Sequence, residues 1–151
     1  MDLTSPEMKE IADAIAVLHQ GDKPRARGLL LELWEKISPT GSPLQICAMA
    51  HFLADTEADT SDELEWDLRA LEAATGSRES EDRDALSPEL ESSLPSLHLS
   101  VGDCYLRLEE FELARLHVLC AASRSGLLPD DGYGKLLRRG LGRLEERLAT
   151  H

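Results

Sequence analysis

The chain has 151 residues, of which 42% are apolar, 30% charged and only 4% aromatic, and its formal net charge is −13 at pH 7. This is the composition of a folded domain whose core is built from Leu, Ala, Ile and Val, and the abundance of Leu and Ala predicts helices. A strongly acidic surface argues against binding to nucleic acid, and no apolar run reaches the roughly 18 residues that span a bilayer.

Three cysteines, an odd number, lie within apolar helical segments at Cys47, Cys104 and Cys120. They indicate buried thiols in a reducing compartment, not a disulfide framework. The acidic first ten residues do not resemble a signal peptide. We therefore expect a cytoplasmic protein that does not enter a membrane.

The first predicted helical hairpin covers about residues 6–38. Ser5 offers a helix cap and Pro6 suits the first helical position. This helix stops at Gly21, and Asp22 can cap the second one.

The second predicted hairpin covers about residues 43–75. Ser42 and Gln45 form the two ends of a capping box around Pro43. The helix behind them is apolar nearly all round, which is typical of a helix flanked on several sides. In the fourth helix, from Thr60, we expect Leu64, Leu68 and Leu71 to face inward and Glu63, Asp67 and Glu72 to face largely outward.

The stretch at about 76–86 is polar and has no periodicity, so it predicts a mobile acidic loop. A third hairpin is predicted at about 95–125, with a short helical turn near Pro88 ahead of it. The last helix, at about 131–149, is amphipathic and carries a basic face. No segment has the pattern of a strand.

The third hairpin contains a series of small and aromatic residues: Gly102, Tyr105, Phe111, Ala114 and Ala121. In identity and spacing, this series resembles the tetratricopeptide repeat (TPR). We expect Gly102 to let the neighbouring helix approach closely, Tyr105 to fill the angle between the helices, Phe111 to pack at the turn, and the two alanines to seat the second helix. The first hairpin echoes the spacing, and the second lengthens its turn with acidic residues.

The whole chain also resembles small stand-alone repeat proteins of high-GC bacteria. Both resemblances imply a single TPR-like domain over residues 1–151, in which antiparallel hairpins stack as a short right-handed superhelix and the last helix caps the stack.

In TPR proteins the first helices of the pairs line a concave groove that binds peptides. The resemblance implies such a groove here, with its residues placed by matching spacing: Gln45, Met49, Phe52, Leu99, Asp103 and Leu106. The alternative is that these side chains only pack the core or a dimer contact.

Two Cys–His pairs have spacings compatible with metal ligation. Cys47 and His51 are four residues apart, and His117 and Cys120 are three apart. Each pair supplies only two ligands, and no CxxC or HxxxH motif supports them. We therefore expect packed histidines and buried thiols, with no metal and no cofactor.

Catalytic residues are not indicated either. Glu63 and Asp67 are a carboxylate pair at helical spacing, but such pairs arise by chance in an acidic chain, and no nucleophile or base accompanies them. We expect a non-catalytic module that binds a protein or peptide. The acidic middle of the chain, 14 acidic and 3 basic residues at 55–95, indicates either a solvated helix face with a flexible loop or a surface that steers a basic partner.

Three alternatives remain open on sequence. The chain could be a structural homodimer that uses its apolar third helix, or a small cytoplasmic chaperone for a secreted protein. An enzyme or a metal-binding protein is a more distant alternative.

Overall fold

A computed structural model describes residues 5–76 and 88–151. These residues form seven α-helices and no strand, which confirms the all-α prediction. The handedness of the stacking stays a prediction. The helices are α1 (Pro6–His19), α2 (Lys23–Ile37), α3 (Pro43–Thr56), α4 (Thr60–Gly76), α5 (Pro88–Arg107), α6 (Phe111–Ser123) and α7 (Gly132–Leu148), with a 3₁₀ turn at Ser125–Leu127.

The chain divides into two compact units, Met1–Ala73 and Ala74–His151. The loop predicted at about 76–86 lies outside the described residues, apart from Gly76 at the end of α4. None of the described helices is long and apolar enough to cross a membrane.

Polar side chains cap five of the helices at their N-termini. In each case the side chain accepts a hydrogen bond from the backbone N–H three residues further on, and the capping residues are Ser5, Asp22, Ser42, Asp59 and Asp131. Gln45 completes the capping box of α3, since its side-chain oxygen accepts from the backbone N–H of Ser42 at 2.9 Å. These bonds satisfy N–H groups that have no partner within the helix, and they explain why the helices begin where they do.

In the first unit, α1, α2 and α3 surround one apolar core. Trp34 of α2 and Trp66 of α4 make an edge-to-face contact with ring centroids 4.9 Å apart, and the Arg69 guanidinium lies 4.6 Å above the Trp66 ring. The buried core residues are Ile11, Ala14, Leu30, Leu33, Ile37, Met49 and Leu53.

In the second unit, α5 and α6 form a hairpin on which α7 packs. Gly102 is the point of close approach: a Cβ atom added there would lie 3.4 Å from Val118 Cγ2 and 3.6 Å from the Ala114 carbonyl oxygen of α6. Tyr105 stacks on His117, with centroids 5.6 Å apart.

The core of this unit also contains the remaining small and aromatic residues of the series. Ala114 and Ala121 are buried. Phe111 stacks on His151 with ring centroids 4.2 Å apart, so it packs against the end of the chain.

The predicted start of helix α5 at Pro95 is wrong. The helix begins seven residues earlier, at Pro88, and Pro95 is buried inside it. A proline in a helix interior costs about 3 kcal/mol, but burying Leu90 and Leu94 is worth about 1.5–3 kcal/mol for each side chain and offsets that cost. The hydroxyl of Ser93 donates to the Leu90 carbonyl oxygen at 2.6 Å within the same turns.

The predicted inward face of helix α4 is wrong by about one residue. Asp67, which the sequence places outward, is only 2% exposed, whereas Leu68, which it places inward, is 36% exposed. The buried positions are Asp67, Ala70, Leu71 and Ala74, which lie on one face of a helix. The small alanines on that face allow close packing, which leaves the bulkier Leu68 at its edge.

Candidate functional site

The predicted groove residues of the first unit differ in how far they are accessible. Met49 is fully buried in the core, so its side chain is not part of a surface. The side chain of Gln45 is engaged in capping α3. Phe52 is half-buried and makes edge contacts with the rings of His19 and His51.

The predicted groove residues of the second unit show a similar division. Leu106 is a core residue that is only 4% exposed. Leu99 is half-buried against Gly140 of α7. Asp103 forms an ion pair with Arg107 one turn later, at 3.0 Å. Whether the partly exposed residues bind a peptide stays a prediction.

A groove that the sequence did not predict lies between α1 and α2, with a volume of about 300 Å³. Half of its lining is apolar and most of the other half is acidic, a mixed character that suits an amphipathic ligand. The lining residues are Glu10, Asp13, Ala14, Val17, Arg25, Leu29, Glu32 and Leu33.

The charges of this groove, which we call the α1–α2 groove, are only partly compensated. Glu10 pairs with Lys36 at 3.1 Å across the two helices. Asp13 and Glu32 are exposed, and neither makes a hydrogen bond or an ion pair with another described residue. The Arg25 side chain likewise makes no hydrogen bond or ion pair with another described residue. The groove therefore offers two carboxylates that are free to accept a cation.

A second surface feature is the outer face of α6. Leu113, Leu116 and Leu119 are 40%, 53% and 68% exposed, and they follow one another at helical spacing. Beside them, between α6 and α7, lies a groove of about 320 Å³ whose lining includes Leu119 and Leu148. Exposed leucines at successive turns make this helix face a candidate interaction surface. We call these three residues the α6 leucine face.

Helix α3, which the homodimer alternative would use for association, has no comparable exposed apolar surface among the described residues. Among the described residues, none of its large apolar side chains is exposed, whereas α6 and α7 carry several such residues. The apolar character of α3 is thus used within the chain. If the chain associates through exposed leucines, α6 is a better candidate than α3.

The basic face of α7 is not paired with acidic side chains of the described part of the chain. Lys135, Arg139, Arg143 and Arg147 are exposed and follow one another at intervals of four residues. Arg138 instead donates to the backbone carbonyl oxygen of Leu128 at 3.2 Å. This helix offsets much of the negative charge of the second unit.

His51 and Asp67 bring a titratable pair together in the first unit. The His51 Nδ1 lies 3.8 Å from Asp67 Oδ1, too far for a hydrogen bond, and this buried nitrogen has no hydrogen-bond partner in the described residues. Burial alone would lower the pKa of His51, but the carboxylates of Asp67 and Asp55 outweigh it and the pKa is raised. Burial also raises the pKa of Asp67, in spite of the opposing effect of His51.

His98 and His117 form a second pair, between α5 and α6. Their Nδ1 atoms are 3.0 Å apart and their ring centroids 5.2 Å apart, so the two nitrogens point at each other as in a hydrogen bond. Burial, followed by the charges of His117 and Arg124, lowers the pKa of His98 to about 4. Burial also lowers the pKa of His117.

The histidines of the two predicted Cys–His pairs contact side chains on other helices. His51 lies beside Asp67, and His117 lies beside His98. Cys47, Cys104 and Cys120 form no disulfide; Cys47 and Cys104 are buried, as predicted, whereas Cys120 is only partly buried.

Comparison with known proteins adds no assignment: no protein-family model, no curated protein and no solved structure matches this chain. The resemblance to the tetratricopeptide repeat therefore stays a prediction from the chain's own residues.

The sequence could have indicated the α1–α2 groove but not the histidine pairs. The groove residues of α1, at Glu10, Asp13, Ala14 and Val17, have the spacing of one helix face that mixes acidic and small apolar side chains. His98 and His117 are 19 residues apart on two helices, and only the packing angle between those helices brings their rings together.

Proposed function

We propose that this chain is a non-catalytic, TPR-like interaction module whose α1–α2 groove binds a basic segment of a protein partner. The observation that carries the proposal is the presence of two unpaired carboxylates, Asp13 and Glu32, beside apolar side chains in the same groove.

Lysine and arginine side chains fit this combination. Each has an apolar stem and a charged head, so the stem can lie along Val17 and Leu29 while the head reaches Asp13 or Glu32. Arg25 and the Glu10–Lys36 pair at other points of the groove disfavour a cation there. They therefore restrict where the head can bind.

The charge around the groove would act in the same direction. Residues 5–76 include 14 acidic and 6 basic side chains. A field of this sign raises the rate at which a basic partner arrives, more than it raises the strength of the final complex. Exposed ion pairs contribute only about 0.2–1 kcal/mol each, so we propose transient, salt-sensitive binding.

A binding assay with matched charge variants tests the proposal. The probes are short fluorescein-labelled peptides that alternate Arg or Lys with Leu, with peptides that alternate Glu with Leu as the negative control. Anisotropy is measured for the wild-type chain and for Asp13→Asn/Glu32→Gln. The control variant, Glu35→Gln/Glu72→Gln, removes the same charge from exposed acidic residues of the first unit outside the groove.

We expect the groove variant to bind the basic peptides about tenfold more weakly, because the loss of two ion pairs of about 0.2–1 kcal/mol each is close to the 1.4 kcal/mol that corresponds to about a tenfold change in affinity. The control variant should bind them within about twofold of wild type. Equal losses in both variants would contradict the proposal, since binding would then follow net charge alone. Binding that does not weaken between about 50 and about 300 mM salt would contradict the electrostatic account.

A further inference from the structure

The outer face of α6 carries little uncompensated charge over most of its length. Two ionisable residues lie between Leu113 and Leu119. The Arg115 side chain, which is 34% exposed, pairs with Glu112 on the same helix and also donates to the backbone carbonyl oxygens of Leu148 and His151, whereas His117 contacts His98. The charge of Arg115 is therefore compensated within the chain, beside the α6 leucine face.

We propose that the α6 leucine face binds the same face of a second copy of this chain, with the two α6 helices antiparallel about a two-fold axis. In such an interface each contact between two residues occurs twice. An axis near residues 117–118 places Leu116 against the partner copy's Leu119. Leucines at successive turns then pack from both sides, next to the groove that Leu119 lines.

Charge complementarity at the ends of α6 supports this arrangement over a parallel one. Glu112, at the N-terminal end, has a side chain that is 91% exposed, and its Oε1 atom pairs with Arg115 of the same helix. Arg124, just past the C-terminal end, donates only to Cys120 and Ser123 and contacts no carboxylate among the described residues. In the antiparallel register Glu112 of one copy lies near Arg124 of the other, so each Glu112 carboxylate can bind Arg124 across the interface as well as its own Arg115.

The distribution of charge also favours association through this unit. The chain carries −13 in total, and a second copy would be repelled by most of its surface. Residues 88–151, however, contain 10 acidic and 8 basic side chains, so the second unit is close to neutral in its described part. Contact through α6 joins the units whose own charges repel each other least.

The dimer would be weak. A stable interface buries about 800 Å² on each partner, and three half-exposed leucines supply only part of that area. We therefore expect dissociation in the micromolar range. The dimer does not depend on the proposed function, but if both hold, each dimer carries two α1–α2 grooves and binds a repetitive basic partner with increased avidity.

Sedimentation equilibrium of the full chain, with a reducing agent and without any peptide, tests the proposal over about 1 μM to about 1 mM protein. We expect a reversible monomer–dimer equilibrium for the wild type and at least tenfold weaker association for Leu119→Glu. The matched control is Leu136→Glu, because Leu136 is 58% exposed on α7 and lies outside the proposed interface. Far-UV circular dichroism checks that both variants stay folded.

Charge reversal tests the antiparallel register. Glu112→Arg and Arg124→Glu should each weaken the dimer, and the double variant should recover most of the loss because the two charges exchange places across the interface. Asp13→Asn/Glu32→Gln should dimerise like the wild type, which separates this proposal from the groove. A wild-type monomer at all concentrations, equal effects of Leu119→Glu and Leu136→Glu, or no recovery in the double variant would overturn the proposal.

Discussion

His98 and His117 share a hydrogen bond between their Nδ1 atoms, which are 3.0 Å apart. One Nδ1 must carry the proton and the other must accept it, so in the neutral pair the two rings are in different tautomers. Protons on both Nδ1 atoms would place two donors face to face, so at least one ring must stay neutral for the bond to form. Burial lowers the pKa of both histidines, which favours the neutral pair that joins α5 to α6.

Acid should therefore destabilise the chain through this pair. The pKa of His98 is about 4 in the folded state, against 6.5 for an unperturbed histidine. Because the unfolded chain binds the proton more tightly, the stability from this site is complete above pH 6.5 and is lost as pH falls from 6.5 towards 4. We expect a loss of about 1–3 kcal/mol, measured by urea unfolding with circular dichroism.

The variant His98→Gln removes this titration, so its stability should depend less on pH between 4 and 6.5 than that of the wild type. His19→Gln is the control, because His19 is exposed. If the pH dependence of His98→Gln matched that of the wild type, the neutral pair would not be the cause.

The His51–Asp67 pair should act in the opposite direction. The pKa of each group is raised in the folded chain, so the folded state binds protons more tightly than the unfolded state. The stability from protonated His51 is complete below pH 6.5 and is lost as pH rises through its raised pKa.

We expect His51→Gln to lower the free energy of unfolding by about 1–3 kcal/mol at pH 6, because Asp67 then keeps a buried charge without its cationic neighbour. The loss should be smaller at pH 9. Tryptophan fluorescence is a suitable reporter, since Trp34 and Trp66 both lie in the first unit. An equal loss at both pH values would show that His51 stabilises the fold as a neutral ring.

Local chemistry explains why the helix starts could be predicted and the titratable pairs could not. Ser5, Asp22 and Ser42 cap backbone groups within three residues, so their role is written in the adjacent sequence. The acidic character of Asp67 predicts that it faces solvent, but packing of α4 on its alanine face buries it near His51.

The start of α5 is a second feature that the adjacent sequence alone does not predict. Pro95 usually marks the first turn of a helix, yet the burial of the leucines before it decides where α5 begins. The candidate groove is likewise a product of how α1 and α2 pack. Its residue types are readable from sequence, but the space between the helices is not.

Glycines at two positions should respond oppositely to a larger side chain. Gly102→Leu should cost about 2 kcal/mol or more, because the added atoms meet Val118 and the backbone of α6. Gly28→Ala should stabilise the chain by about 0.5–1 kcal/mol, since no side chain or other element lies within 4 Å of its added Cβ and Ala favours the helix. Thermal unfolding of the two variants measures the difference. A tolerated leucine at Gly102 would contradict the close approach of α5 and α6.

The binding of a basic segment in the α1–α2 groove is tested most directly by NMR. The ¹⁵N-labelled chain is titrated with the unlabelled Arg/Leu peptide, and shifts of the backbone amide signals are mapped along the sequence. The account predicts saturable shifts concentrated at residues 10–17 and 25–33, which are lost in Asp13→Asn/Glu32→Gln. Shifts spread evenly over the acidic residues of the first unit, or centred on 55–63, would contradict it.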